Sequence, residues 1–187
     1  EKEKFGVAMN KFILAMSGEK RYDKVMNFFS LCNQVFSNFI IGKSIDSFII
    51  GLICFAGMKL LGAPYATLLS VIVGVTNMIP YFGPFIGAIP AILITLFISP
   101  IKALWVAIFI LVLQQVDGNI IGPKILGDKV GISPFYIILS ILIGGGFFGM
   151  LGMLFAVPTF KIVSILLGRY LDARIEKQRA LDIVSGE

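Results

Sequence analysis

Histidine is absent from all 187 residues. That removes the imidazole base of a Ser-His-Asp triad and both imidazole ligands of an H-E-x-x-H zinc site, so hydrolytic chemistry of those kinds is excluded. Charge is scarce as well: Asp, Glu, Lys and Arg make up 14% of the chain, where an average soluble domain has about 25%. Cysteine is limited to Cys32 and Cys54, in separate apolar stretches with neither metal nor redox spacing, and both are read as inert, buried thiols. No metal and no cofactor is expected, and an intramembrane enzyme would need a catalytic pair that these residues do not offer. Glycine is plentiful, yet Gly144-Gly145-Gly146 is not a phosphate loop, because no Walker lysine follows and no strand precedes it.

What the chain has is apolar surface. Hydrophobic residues are 57% of the total and the mean hydropathy is +0.93, while the charges gather toward the two ends. The fold class expected is all-α, a polytopic helical membrane protein. The chain opens on Glu1 without the apolar core and small-residue cleavage site of a signal peptide, and is read as the C-terminal part of something longer.

Three regions are expected. Residues 1–43 read as amphipathic membrane-surface helices. Over 1–24, Lys2, Lys4, Lys11, Lys20, Arg21 and Lys24 accompany Phe5, Met9, Phe12, Ile13 and Met16 at helical steps, a pattern that suits a membrane surface or packing on the protein itself. Over 25–43, Asn27, Ser30, Gln34 and Ser37 form a polar line opposite Val25, Phe28, Cys32, Val35 and Phe39. Residues 44–171 read as the transmembrane domain and 172–187 as a basic tail. Within the domain, apolar segments over 45–61, 65–79, 84–98, 102–121, 134–149 and 150–171 are separated by Gly62-Ala63-Pro64, by Pro80 with Gly83 and Pro84, by Ser99-Pro100, by the loop 122–133 and by a glycine-rich turn. Breaks of this kind free backbone groups that lipid cannot satisfy, so they should be buried in protein or face water.

Pro64 to Gly74 aligns on Pro134 to Gly144 with four identities in eleven positions, and Ala88-Ile89-Pro90 then meets Ala156-Val157-Pro158 after a two-residue shift. The expectation is two repeats, each one helix plus a Gly/Pro-broken hairpin. Three segments per half is an odd number, so the halves should be inverted, the pattern that points to a secondary transporter. Lysine and arginine at both ends put those ends on the cytoplasmic side by the positive-inside rule, leaving Lys59 and Lys102 outside.

The polar residues of interest are few. Gln114, Gln115, Asp117 and Asn119 precede Gly122-Pro123. A carboxylate within a span is a functional hypothesis by default, a proton or cation site, although Asp117 could instead sit at headgroup level and pair with Lys124 or Lys129. Gln114 shares its face at i−3, while Gln115 and Asn119 share another. Asn77, before the Pro80 break and close to Tyr81, could hold a freed carbonyl or touch substrate. The expected site brings Asn77, Tyr81, Gln114, Gln115, Asp117 and Asn119 to one cavity. Pro80, Gly83, Pro84, Gly122, Pro123, Gly144, Gly145 and Gly146 would act as hinge and broken-helix positions, the last three at the tip of the second hairpin.

These residues resemble a known family. The run Asn77-Met78-Ile79-Pro80-Tyr81-Phe82-Gly83-Pro84-Phe85-Ile86-Gly87-Ala88-Ile89-Pro90-Ala91 looks like a signature of the autoinducer-2 exporter family, also called the PerM permease family. So do Gln115, Asp117, the run Asn119-Ile120-Ile121-Gly122-Pro123-Lys124-Ile125-Leu126-Gly127, Pro134, the triple glycine and Ala156-Val157-Pro158, in the same order over about residues 40 to 170. The resemblance implies a multi-pass bacterial inner-membrane permease that exports a small solute such as the quorum-sensing signal autoinducer-2, or a monovalent cation/proton antiporter. It implies further helices on the N-terminal side, and homo-oligomers. The competing expectation is a non-transporting scaffold or sporulation-type assembly protein that uses the basic ends. The partners expected are the bilayer and a small-molecule or monovalent-cation substrate, not nucleic acid.

Overall fold

The structure, a computed structural model, describes residues 19–126 and 133–185. The expected surface helix over 1–24 lies mostly outside these residues, as do Lys129 and half of the loop 122–133, whose first five residues are helical. Among the described residues every regular element is helical. Helix α1 (Glu19–Leu60) is followed by α2 (Ala66–Thr76), α3 (Gly83–Ile98) and α4 (Pro100–Val116). A π-helical turn (Asp117–Ile121) carries α4 into the short α5 (Gly122–Leu126), and α6 (Pro134–Ser185) completes the chain. Tyr22–Leu60, Pro100–Ile125 and Pro134–Arg179 are long and apolar enough to cross a membrane. This is an all-α polytopic membrane protein.

All six expected segments are helical, and the joints at Gly62-Ala63-Pro64, at Pro80 with Gly83 and at Ser99-Pro100 fall where expected, whereas others differ. The helix α1 runs without a break through 43/44, because Ser44 and Ser47 interrupt the hydropathy without interrupting the backbone ladder. Its 42 residues extend about 63 Å, twice a hydrocarbon core. In the same way α6 continues past 171/172 into the basic tail. The last span is in fact a hairpin: at Gly149 the backbone takes φ 59° and ψ −142°, and the two arms fold onto each other. Tyr136 stacks on Phe160 with ring centroids 5.5 Å apart, and a Cβ on Gly144 would lie 2.6 Å from Gly152 O and 2.8 Å from Ala156 Cβ. The first hairpin, α2 with α3, is built alike, with Gly83 and Gly87 laid against Thr76 and Val73. Small residues let helix backbones approach where lipid supplies no hydrophobic drive. Pro90 and Pro158, the matched prolines of the two repeats, each lie within the second arm of a hairpin.

The triple glycine is therefore not the bend. Gly144 and Gly145 are packing positions on the first arm, and the reversal falls on Gly149, whose φ suits glycine alone. Gly149→Ala is expected to cost about 1–3 kcal/mol, although a Cβ there meets nothing within 4 Å. Gly146 also has open space but ordinary φ, so Gly146→Ala should be neutral or slightly stabilising. Thermal unfolding of the two variants in detergent compares backbone strain with its control.

Two cores form along α1. Ile50, Cys54 and Met58 pack with Leu69, Val73, Ala91, Val106, Ile110 and Leu113. Nearer the N-terminus, Phe39 packs with Ile141 and Val157, and Phe36 meets Phe155 at 5.9 Å. Cys54 is buried as expected, whereas Cys32 is half-buried. At the far end, Lys102 Nζ donates to Gly62 O at 2.8 Å and closes the Gly62-Ala63-Pro64 break with a partner 40 residues away.

Helix α4 begins beside the end of α1 and runs back along it, so the two are antiparallel. In the first hairpin Gly74 touches Gly51 and Asn77 reaches Asp46, so its tip points toward the N-terminus of α1. In the second, Phe155 on the arm after Gly149 lies by Phe36 of α1, and Val157 packs with Phe39.

Candidate functional site

Between the two cores α1 presents Lys43 and Asp46, which continue the buried stripe that Phe39 opens and Ile50, Cys54 and Met58 extend. Lys43 is 6% exposed and Asp46 0%, and Lys43 Nζ donates to Asp46 Oδ2 at 2.6 Å. At i and i+3 the two side chains leave one face of the helix together. Asp46 is 14 residues from Leu60, about 21 Å along the axis from the end marked by Lys59 and Lys102, within the depth of a ~30 Å hydrocarbon core.

Asn77 comes to this pair from α2. It is the C-cap of that helix, its N–H donating to Val73 O, and the chain turns away after it toward Pro80. Its side chain is 1% exposed. The Nδ2 amide donates to Asp46 Oδ2 at 3.3 Å and to Asp117 Oδ2 at 3.2 Å, so one amide ties together carboxylates from two helices.

Asp117 is 8% exposed and opens the π-helical turn. Pro123 has no N–H and its ring would clash in a continuing α-helix; the wider turn, closed by Gly122 N–H on Asp117 O, absorbs this without ending the helix. The expected break at Gly122-Pro123 is thus a bulge. It turns Asp117 inward and leaves the rest of the polar run split: Gln114, at i−3, is half-buried beside it, whereas Gln115 and Asn119 are exposed on the other face. There Asn119 Nδ2 donates to Gln115 O at 2.7 Å. Tyr81 is 46% exposed with φ 63°, on the turn and not in the cluster. The expected single cavity is therefore corrected: Asn77 and Asp117 meet, Gln114 lies one turn earlier on the face of Asp117, and Gln115, Asn119 and Tyr81 stand outside the cluster. Lys124 is exposed, and Asp117 turns to Asn77.

Lys43 and Asp46 were not among the expected site residues. The available signal was a Lys-x-x-Asp pair at the mouth of an apolar segment, which reads equally as the edge of a span.

Two carboxylates and one ammonium leave the centre with a formal charge of −1 when all are ionised. Asp46 Oδ1 and Asp117 Oδ1 are buried and take no hydrogen bond from the described residues. Gln114 Nε2 and Ser47 Oγ are also buried and unmatched. In a low-dielectric setting such groups call for a proton, a cation or water. Among the described residues no cluster of three or more His, Cys, Asp or Glu suits a resident metal. Beside the centre, an apolar groove of about 450 Å³ runs between α1 and α2, lined among others by Ser47, Gly51, Ser70 and Met78.

The chain is similar to known proteins. A family model described as "AI-2E family transporter" matches residues 4–172. The "Putative transport protein YrrI" of Bacillus subtilis is 40% identical over 139 residues, covering 74% of this chain and 39% of that protein. The "Putative transport protein YueF" of the same organism is 40% identical over 123 residues, covering 66% and 33%. The "Putative permease PerM" of Escherichia coli is 32% identical over 148 residues, covering 78% and 42%. The chain spans roughly a third to two-fifths of the length of these curated relatives.

Proposed function

This chain belongs to the AI-2E transporter family, and on that premise we propose that it is part of a secondary transporter exporting a small solute such as autoinducer-2, with one proton or monovalent cation bound at Asp46, Asn77 and Asp117. The observation that carries this reading is the buried carboxylate pair joined by one amide at the seam between two helical cores. A site at such a seam changes its hydration when the halves move, and alternating access requires that change. The seam here joins α1, α2 and the bulged end of α4. Movement of the first hairpin at Pro80, Gly83 and Pro84 would open or close the amide bridge. The protein would lie in a bacterial inner membrane with both ends cytoplasmic, as a homo-oligomer.

A second reading, monovalent cation/proton antiport without organic cargo, is favoured by the chemistry of the centre. Its groups are charged or amide, and the groove beside it is apolar. Both readings meet one experiment. In sealed proteoliposomes of the full-length protein, internal pH is followed under imposed sodium or potassium gradients, and autoinducer-2 efflux under the same gradients, with Asp117→Asn in parallel. Asp117→Asn is expected to reduce the cation-dependent signal at least tenfold while the protein stays folded. Proton flux without solute dependence would select antiport. Wild-type flux in the variant would remove the role of Asp117, and silence of the unmutated protein toward cations and solute would favour the scaffold.

A further inference from the structure

Lys43 is a buried ammonium held 2.6 Å from one of two buried carboxylates, and general principle asks why a membrane protein would keep it there. Without it, Asp46 and Asp117 would present two negative charges and, at Asp46 Oδ1 and Asp117 Oδ1, two unmatched oxygens. That donor set, carboxylate oxygens beside an amide, is the kind that binds hard divalent ions. With Lys43 in place one of the two charges is already matched, and a single positive charge completes the balance.

We infer that Lys43 is a built-in cation that sets the valence of this centre, restricting it to one monovalent cation or proton and excluding divalent ions. The inference rests on the reading of the centre as an ion site. Charge balance distinguishes the variants. Removing either carboxylate, by Asp117→Asn or Asp46→Asn, leaves one ammonium against one carboxylate, a neutral centre with no demand for an added ion. Removing Lys43 leaves two unmatched carboxylates, which a divalent ion satisfies in one step. Removing Lys43 and one carboxylate together leaves a single negative charge, as in the native centre.

The test uses the full-length protein in detergent, with Na⁺ and Mn²⁺ as probes and choline at matched ionic strength as control, read by thermal shift and by direct equilibrium binding. The native protein is expected to respond to Na⁺ or to protons and not to Mn²⁺. Lys43→Met should bind Mn²⁺ at least tenfold more tightly than the native protein, and Lys43→Met with Asp46→Asn should lose that binding. Lys43→Arg, which keeps the charge, should remain blind to Mn²⁺, so this variant decides the matter if Lys43→Met does not fold; Mn²⁺ binding by Lys43→Arg overturns the proposal. Unchanged Mn²⁺ affinity in Lys43→Met, alongside a monovalent response that Asp117→Asn abolishes, overturns the role of Lys43 and leaves the ion site standing. A native protein that responds to neither Na⁺ nor protons removes the ion site itself, and this inference with it.

Discussion

Asp46→Ala in the full-length protein is expected to lose about 3–5 kcal/mol of stability, the loss that follows when one member of a buried ion pair is removed. The reason lies on α1. Lys43 has its ammonium against Asp46 Oδ2, with almost no access to solvent, and Asp46 also receives Asn77 from α2. Alanine leaves the ammonium without its acceptor and the amide with one carboxylate in place of two, and opens a cavity between α1 and α2. Asp46→Asn should be much milder, because an amide oxygen still accepts from Lys43 and Asp117 remains to balance the charge. Adding Lys43→Met to Asp46→Ala should recover most of the loss, since the pair then leaves as a unit. Thermal unfolding of the native protein, Asp46→Ala, Lys43→Met and the double variant in one detergent reads the cycle, with Asp46→Asn as the control. A mild effect for Asp46→Ala would mean that the pair is hydrated and that Lys43 reaches water.

Much of the helical layout is legible in the sequence because glycine and proline act locally. Gly62-Ala63-Pro64, Pro80 with Gly83, and Ser99-Pro100 lie at helix ends as their chemistry demands. Packing decided the rest. Three consecutive glycines look like a bend, yet Gly144 lies in a helix because it faces Gly152, and the turn falls on Gly149. The seating of the second hairpin against α1 also depends on contacts, those of Phe155 with Phe36 and of Val157 with Phe39. The site was half legible. Asp117 and Asn77 stand out as polar residues in apolar surroundings, and the i, i+4 relation of Gln115 to Asn119 was readable as a face of its own. Lys43 and Asp46 did not stand out, because beside Ser44 and Ser47 they resemble the edge of a membrane span. Their significance comes from Asn77, 31 residues away, which no local pattern announces.

The two amides that the sequence places in one group provide the sharpest contrast. Asn77→Leu is expected to lose about 3 kcal/mol, because hydrogen bonds to charged groups are worth roughly 1.5–3 kcal/mol each, two of them end together, and at 3.3 and 3.2 Å both belong to the weak end of that range. Leucine is close in volume, so little of this loss comes from a cavity. The amide that links the two carboxylates would then be gone, leaving Asp46 on Lys43 and Asp117 without its donor. Cation-dependent flux should fall at least tenfold with the fold largely kept, because the two carboxylates would no longer be held as one site. Asn119→Leu removes an amide of the same kind two residues beyond Asp117. Its side chain is exposed and among the described residues bonds to Gln115 alone, so stability should change by less than about 0.5 kcal/mol and flux should not change. Equal effects from the two substitutions would place the working polar group on the outward face of the π turn, with Gln115 and Asn119. A large effect at Asn77 alone would place it at the seam, where one amide reaches two helices and the bulge before Pro123 turns Asp117 to meet it.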